Sequence, residues 1–163
     1  MSPIPWEKLI EGIEKCLRNS QRLFSSAETL VLKEEFIPAI CLFILALEEI
    51  GKGIFLLRYL KAKKDVPDSQ WKKYRYGSQA HIRKLEEVRK FTGLTVGDWS
   101  SALNQIKLNG FYVDWIENKW RSPEESSPII TIMELHLALL REHTKEAWNQ
   151  LEKELSLQLK QKQ

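Results

Sequence analysis

The chain has 163 residues and a mass of 19.1 kDa, with 43% hydrophobic residues, 29% charged residues and a formal net charge of +3. That length suits one domain with a core large enough to need no staples, and the composition excludes a disordered chain. Seven Gly and six Pro are too few for a sandwich or barrel that turns every few residues, and two cysteines, Cys16 and Cys41, cannot build a disulfide framework or a cysteine zinc site.

The opening residues carry charge throughout and do not resemble a signal peptide. Leu9, Ile13, Cys16, Ser20, Leu23, Ala27 and Leu30 recur at spacings of four and three, the seam of a long amphipathic helix, with Pro5 suited to its first turn. Several seam residues are small, so a neighbouring helix can come close. A second helix begins at Phe36, with Pro38 in its opening turn, and is apolar on nearly all sides from Ile37 to Leu60. A helix of that kind is central and buried. Its longest apolar run, Phe36 to Leu47, is interrupted by Pro38 and followed by Glu48 and Glu49, short of the ~20 residues that span a bilayer. A soluble, cytoplasmic protein with no membrane contact is therefore expected, with Cys16 and Cys41 as reduced core thiols.

Asp65 and Pro67 mark a loop. A third helix is expected from Asp68 as its cap, carrying Trp71 and Tyr74, breaking at Gly77-Ser78, resuming through Ile82, Leu85 and Val88 and stopping at Thr92-Gly93. Asp98 caps a fourth helix through Trp99, Leu103 and Ile106 to Tyr112 and Ile116, and Trp120 to Ser127 reads as a loop. Thr131 followed by Glu134 is a capping-box pattern that opens a last helix, and residues 156–163 are expected to fray. No segment alternates with period two. The fold class is all-α: one domain, residues 1–163, an up-and-down bundle of four to five helices. The first two helices present more apolar surface than one small bundle needs, which predicts a two-fold homodimer.

The charge is unevenly spread. From Arg58 to Lys90 there are eleven Lys/Arg against four acids, so that span carries +7 and the remainder −4. A basic segment in an otherwise acidic chain suggests an anionic partner, most often nucleic acid. Within the buried second helix, ALEEIGK places charges that need partners. Glu48 and Lys52 stand i,i+4, the favourable order for a pair. Glu49, about 100° further round, is expected to take its partner from another helix. Gly51 and Gly53 each disfavour helix by ~1 kcal/mol relative to Ala, which points to a close packing partner or a site. His81 and Lys84 are i,i+3 and share a face. His136 and His143 share a face on the last helix and read as structural. No P-loop, dinucleotide fingerprint, HExxH or GxSxG occurs, and no metal or other cofactor is expected.

Ala46-Leu47-Glu48-Glu49-Ile50-Gly51-Lys52 resembles the signature of the AbiV family of abortive infection proteins. His81-Ile82-Arg83-Lys84-Leu85 resembles that family's histidine–lysine motif. Gly110-Phe111-Tyr112-Val113-Asp114, with Ser122-Pro123 after it, resembles its glycine–aromatic–tyrosine–x–aspartate motif. Together they cover roughly residues 30 to 125. The family is placed in the HEPN superfamily of helical bundles. The resemblance implies a factor of prokaryotic phage defence with RNA, or a phage or host protein, as its partner. Many of its relatives are metal-independent ribonucleases that work as dimers. The superfamily's ribonuclease signature is Arg, four to six residues, then His; Arg75 and His81 enclose five, with Tyr76 where a polar residue is common.

The chemistry is coherent with these residues. Metal-free RNA cleavage needs a base for the ribose 2′-hydroxyl, an acid for the leaving oxygen and a cation near the phosphate. Histidine can do the first two jobs, and Arg75 and Lys84 the third. On an unbroken helix Arg75 and His81 are about 240° apart, so either the Gly77-Ser78 break brings them together or each faces a site shared between subunits. The candidate catalytic set is His81, Arg75, Glu49 and Lys84. Glu48, Lys52, Tyr112 and Asp114 are candidates for a polar network or for substrate binding. Tyr112 can stack a base or sit in an aromatic cluster with Phe111 and Trp115. The rival function is a non-catalytic helical interaction protein.

Overall fold

The four-and-three spacing at the start of the chain winds as helix α1, Leu9–Val31, entered through one 3₁₀ turn at Trp6–Lys8 with Pro5 at its cap. The computed structural model describes residues 3–77, 79–93, 99–111, 114–116, 119–122 and 130–160. Leu9, Ile13, Cys16, Ser20 and Ala27 of the seam are buried, joined by Leu17. A turn with Glu34 at φ 62° leads into α2, Phe36–Lys61. As its all-round apolarity requires, α2 is the centre of the bundle. It packs against α1, α4 (Gln79–Thr92), α5 (Trp99–Phe111) and α6 (Ile130–Lys160).

Glycines mark where those neighbours come closest. A Cβ on Gly51 would overlap the Lys84 carbonyl of α4, and one on Gly53 would lie 2.7 Å from Leu151 Cδ2 of α6. On α5, a Cβ at Gly110 would overlap Cys41 Sγ of α2. The close partners that Gly51 and Gly53 imply are thus two different helices on two sides of α2. Both cysteines are free and buried among these contacts. Burial pushes the Cys16 and Cys41 thiols up to about 12, the Glu49 carboxylate adding to the effect at Cys16.

The break expected near Gly77 divides the third helix in two. α3, Asp68–Arg75, ends where Tyr76 turns extended and Gly77 takes φ 88°, and α4 follows after this corner. Among the described residues there are therefore six α-helices, the corner dividing one of the five expected. Asp68 is the first residue of α3 rather than its cap; Pro67 holds that place, and Asp68 pairs with Lys72 at 2.7 Å. α5 ends at Phe111, short of Ile116. Asp114–Ile116 (β1) and Lys119–Arg121 (β2) pair instead as a small antiparallel hairpin, Trp115 opposite Trp120. Aromatic and β-branched residues suit such a pair. α6 opens at Ile130, so Thr131 is not its cap, and it continues to Lys160 beyond the expected fraying at Ser156. Buried Leu151 and Leu155, with Lys61 Nζ 2.5 Å from Glu154, tie α6 down as far as Leu155. Tyr112, Ser78, Asp98 and residues 123–129 lie outside the described residues.

Polar ties close the bundle. Arg141 of α6 grips Glu28 of α1 through two bonds of 2.6 and 2.7 Å. Ile4 and Val66 exchange backbone hydrogen bonds of 3.0 and 2.9 Å. No helix among the described residues is long and apolar enough to cross a membrane.

Candidate functional site

A carboxylate on a helix buried on all sides must draw cations from its neighbours or lose its charge. Glu48 is only 3% exposed and draws partners from two other helices. Lys107 Nζ of α5 donates to its Oε1. His81 Nδ1 of α4 lies 2.6 Å from its Oε2, and Lys84 Nζ, one turn on, lies 3.6 Å from the same oxygen. Burial alone would raise the Glu48 pKa. The Lys107 ammonium and His81 outweigh that and hold the carboxyl below its ordinary value. Burial pulls Lys84 down, against the pull of Glu48.

The backbone explains why these groups meet. The Gly77 corner starts α4 afresh, so His81 stands in its first turn with Lys84 on the same face. The absent side chain at Gly51 lets the α4 backbone lie directly on α2, within reach of Glu48. α4 is fixed to α5 by Ser100 Oγ, which donates to Glu86 Oε1 at 2.6 Å, while Arg89 forks onto the same carboxylate.

An ionised carboxylate only accepts, so the assignment that makes the 2.6 Å contact a hydrogen bond puts the proton on His81 Nδ1. Lys107 Nζ, 2.9 Å from Nδ1, then makes a close approach there while its proton goes to Glu48. This leaves Nε2 as the free nitrogen of a side chain that remains 43% exposed. Glu48 carries one negative charge and Lys107 and Lys84 two positive ones, so the site is cationic beside a half-open imidazole. Among the described residues no three His, Cys, Asp or Glu side chains come together as metal ligands.

Two pairings expected from the spacing are overturned. Lys52 does not pair with Glu48; it donates to Glu49, its i,i+3 neighbour. Glu49 therefore takes its partner from its own helix. The pair lines a cleft between α1 and α2 with Lys15 and Cys16, away from His81. The carboxylate that reaches His81 is Glu48. Arg75 ends α3 just before the corner, exposed, its guanidinium 5.1 Å from the Tyr76 ring centre. Asp114 opens β1. Lys107 was not singled out from the sequence, although a signal existed. Ser100, Leu103 and Lys107, all buried, make one stripe of α5 at steps of three and four, so a lysine falls on a core-facing row.

The model of the AbiV family, a HEPN family, matches residues 8–138. No curated protein and no solved structure matches the chain. The match covers well over half of the sequence, and the chain belongs to the AbiV family, its bundle an all-α, HEPN-like fold.

Proposed function

We propose that this AbiV-family protein is a phage-defence factor that cuts RNA without a metal, with His81 as the proton carrier. The observation that carries the reading is the 2.6 Å contact of His81 Nδ1 with the buried Glu48 carboxylate. A neutral imidazole held in this way offers the lone pair of Nε2. That nitrogen takes the proton of a ribose 2′-hydroxyl, the 2′-oxygen attacks the adjacent phosphorus and the bond from phosphorus to the 5′-oxygen breaks. The imidazolium, or that of a second copy, returns a proton to the departing oxygen. The products are a 2′,3′-cyclic phosphate and a 5′-hydroxyl. Lys84 supplies charge in excess of what Glu48 neutralises, and Arg75 is the second candidate for the phosphate. The acting species in this proposal is a homodimer. Leu139 and Leu157, exposed and five turns apart on one face of α6, offer a surface for it, and a sedimentation mass of one chain at micromolar concentration contradicts it.

One observation favours a second reading. Lys107 is 4% exposed, nearly as buried as Glu48, the pattern of a charge network that fixes helix register. In that reading the protein cuts nothing and binds a phage or host protein. Purified protein against a mixed RNA pool, with and without EDTA, decides between them. The nuclease reading expects cleavage that survives EDTA, cyclic phosphate ends and a loss of ~10²–10⁴ in rate for His81→Ala. RNA left intact by the parent protein, also when defence has been triggered, selects the interaction reading.

A further inference from the structure

Residues 81 and 83 are two steps apart on α4, about 200° round the helix, so Arg83 faces away from the Glu48 site. On that other flank, Arg83 joins Arg58 from the last turn of α2, Lys64 from the loop after it and Lys73 from α3 around a groove of about 440 Å³. Phe55 and Tyr74 form its floor, stacked with ring centres 4.0 Å apart.

Its charge is unbalanced. Among the described residues that line it there are four cations and no carboxylate. Arg58 is met from behind by Glu87 at 2.8 Å, which also accepts a hydrogen bond from Tyr74. Lys64, Lys73 and Arg83 have no ion-pair partner among the described residues. Like charges gathered round one small concavity repel unless an anion enters it. The volume is of small-ligand size. Guanidinium groups fork onto phosphate oxygens and ammonium groups meet them as point charges. Consecutive phosphates put several negative charges into such a space. An acidic peptide delivers its carboxylates to alternate sides at ~3.3 Å per residue, and so fewer of them at once.

We propose that this groove is a second, non-catalytic site that binds an oligophosphate group, either the triphosphate of a free nucleotide or that of an RNA 5′ end. The inference does not rest on the nuclease reading, and its test uses His81→Ala protein so that cleavage plays no part. The full chain is titrated calorimetrically with inorganic tripolyphosphate, with GTP, and with a short oligoribonucleotide bearing either a 5′-triphosphate or a 5′-hydroxyl. The expected result is saturable, one-to-one binding of tripolyphosphate that weakens with salt. It falls about tenfold or more in Arg83→Glu or Lys73→Glu and is unchanged by Lys33→Glu, in the turn at the opposite end of α2. These side chains are exposed, so the variants keep their fold, which their melting curves verify. Tighter binding of GTP than of the triphosphorylated oligonucleotide assigns the site to free nucleotides. A triphosphorylated oligonucleotide that binds more tightly than both GTP and its hydroxyl twin assigns it to the RNA end. The proposal is overturned if tripolyphosphate shows no saturable binding, or if Lys33→Glu weakens it as much as the groove variants do.

Discussion

Removing the Glu48 carboxylate alone and removing it together with Lys107 have opposite expected effects. Glu48 and Lys107 are 3% and 4% exposed and bonded to each other. Glu48→Ala leaves the Lys107 ammonium buried without its partner, with Lys84 close by, and such a broken pair costs ~3–5 kcal/mol. In a domain of this size each kcal/mol moves Tm by roughly 2–4 °C, so Glu48→Ala should melt about 6–20 °C below the parent. Glu48→Leu combined with Lys107→Met removes both charges and keeps the volume. It should melt near the parent or above it, because a well-packed apolar pair commonly equals or betters a buried ion pair. The resulting coupling is about 3 kcal/mol or more, far outside the additivity of independent sites. Thermal and urea unfolding of the parent, of Glu48→Leu, of Lys107→Met and of the double variant closes the cycle, each single leaving one buried charge without its partner as Glu48→Ala does. pH gives an internal check. The folded-state pKa of Glu48 lies below its ordinary value of 4.5, so its contribution is present above pH 4.5 and is lost as pH falls through the lower folded value. The parent should therefore lose stability in that acid window faster than the double variant. Single variants that melt with the parent, or a double variant as unstable as the sum of the singles, would refute the buried network.

Three further outcomes follow from the same contacts. Glu49→Ala, which breaks only a same-helix pair with Lys52, should cost about 0.5 kcal/mol, and a fall in Tm beyond about 4 °C would show that it has a buried partner after all. Lys84→Met should leave Tm unchanged or raise it at pH 7 while lowering RNA cleavage. Its folded pKa lies below the ordinary 10.5, so burial opposes its charged form at pH 7, a penalty that disappears above pH 10.5 where the amine is neutral in both states; a clear drop in Tm at pH 7 contradicts this. Gly51→Ala should destabilise by ~1–3 kcal/mol despite the better helix propensity of Ala, because the added methyl meets the Lys84 carbonyl, and a rise in Tm would mean that the α2–α4 contact is looser than described.

What could be read from the residues was periodic; what could not was a choice between near-equivalent neighbours. The all-round apolarity of Ile37 to Leu60 was enough to make α2 central, and Gly77 was enough to place a corner between Arg75 and His81. Helix periodicity could not say which of two adjacent glutamates faces α4. On a helix apolar on every side no polar face identifies the outward one, and both i,i+3 and i,i+4 spacings bring Lys52 within reach of a glutamate. The choice is made by cations 33 and 59 residues further on, His81 and Lys107. The hairpin was hidden because strands of three residues are too short to show an alternation.

The two buried thiols give this bundle a pair of internal clocks. Cys16 sits at the α1–α2–α6 contact and Cys41 at the α2–α5 contact. With each thiol pushed up to about 12, almost no thiolate exists at neutral pH, and only the thiolate reacts quickly with alkylating reagents. Labelling therefore waits for the surrounding helices to part, and its rate at each cysteine times the opening of one side of α2. The Cys41 clock runs beside Lys107, whose carbonyl oxygen lies 3.7 Å from its sulfur. A ligand that steadies the Glu48–His81–Lys107 cluster would slow that clock more than the other, which makes occupancy of the site measurable by chemistry on a residue that takes no part in it.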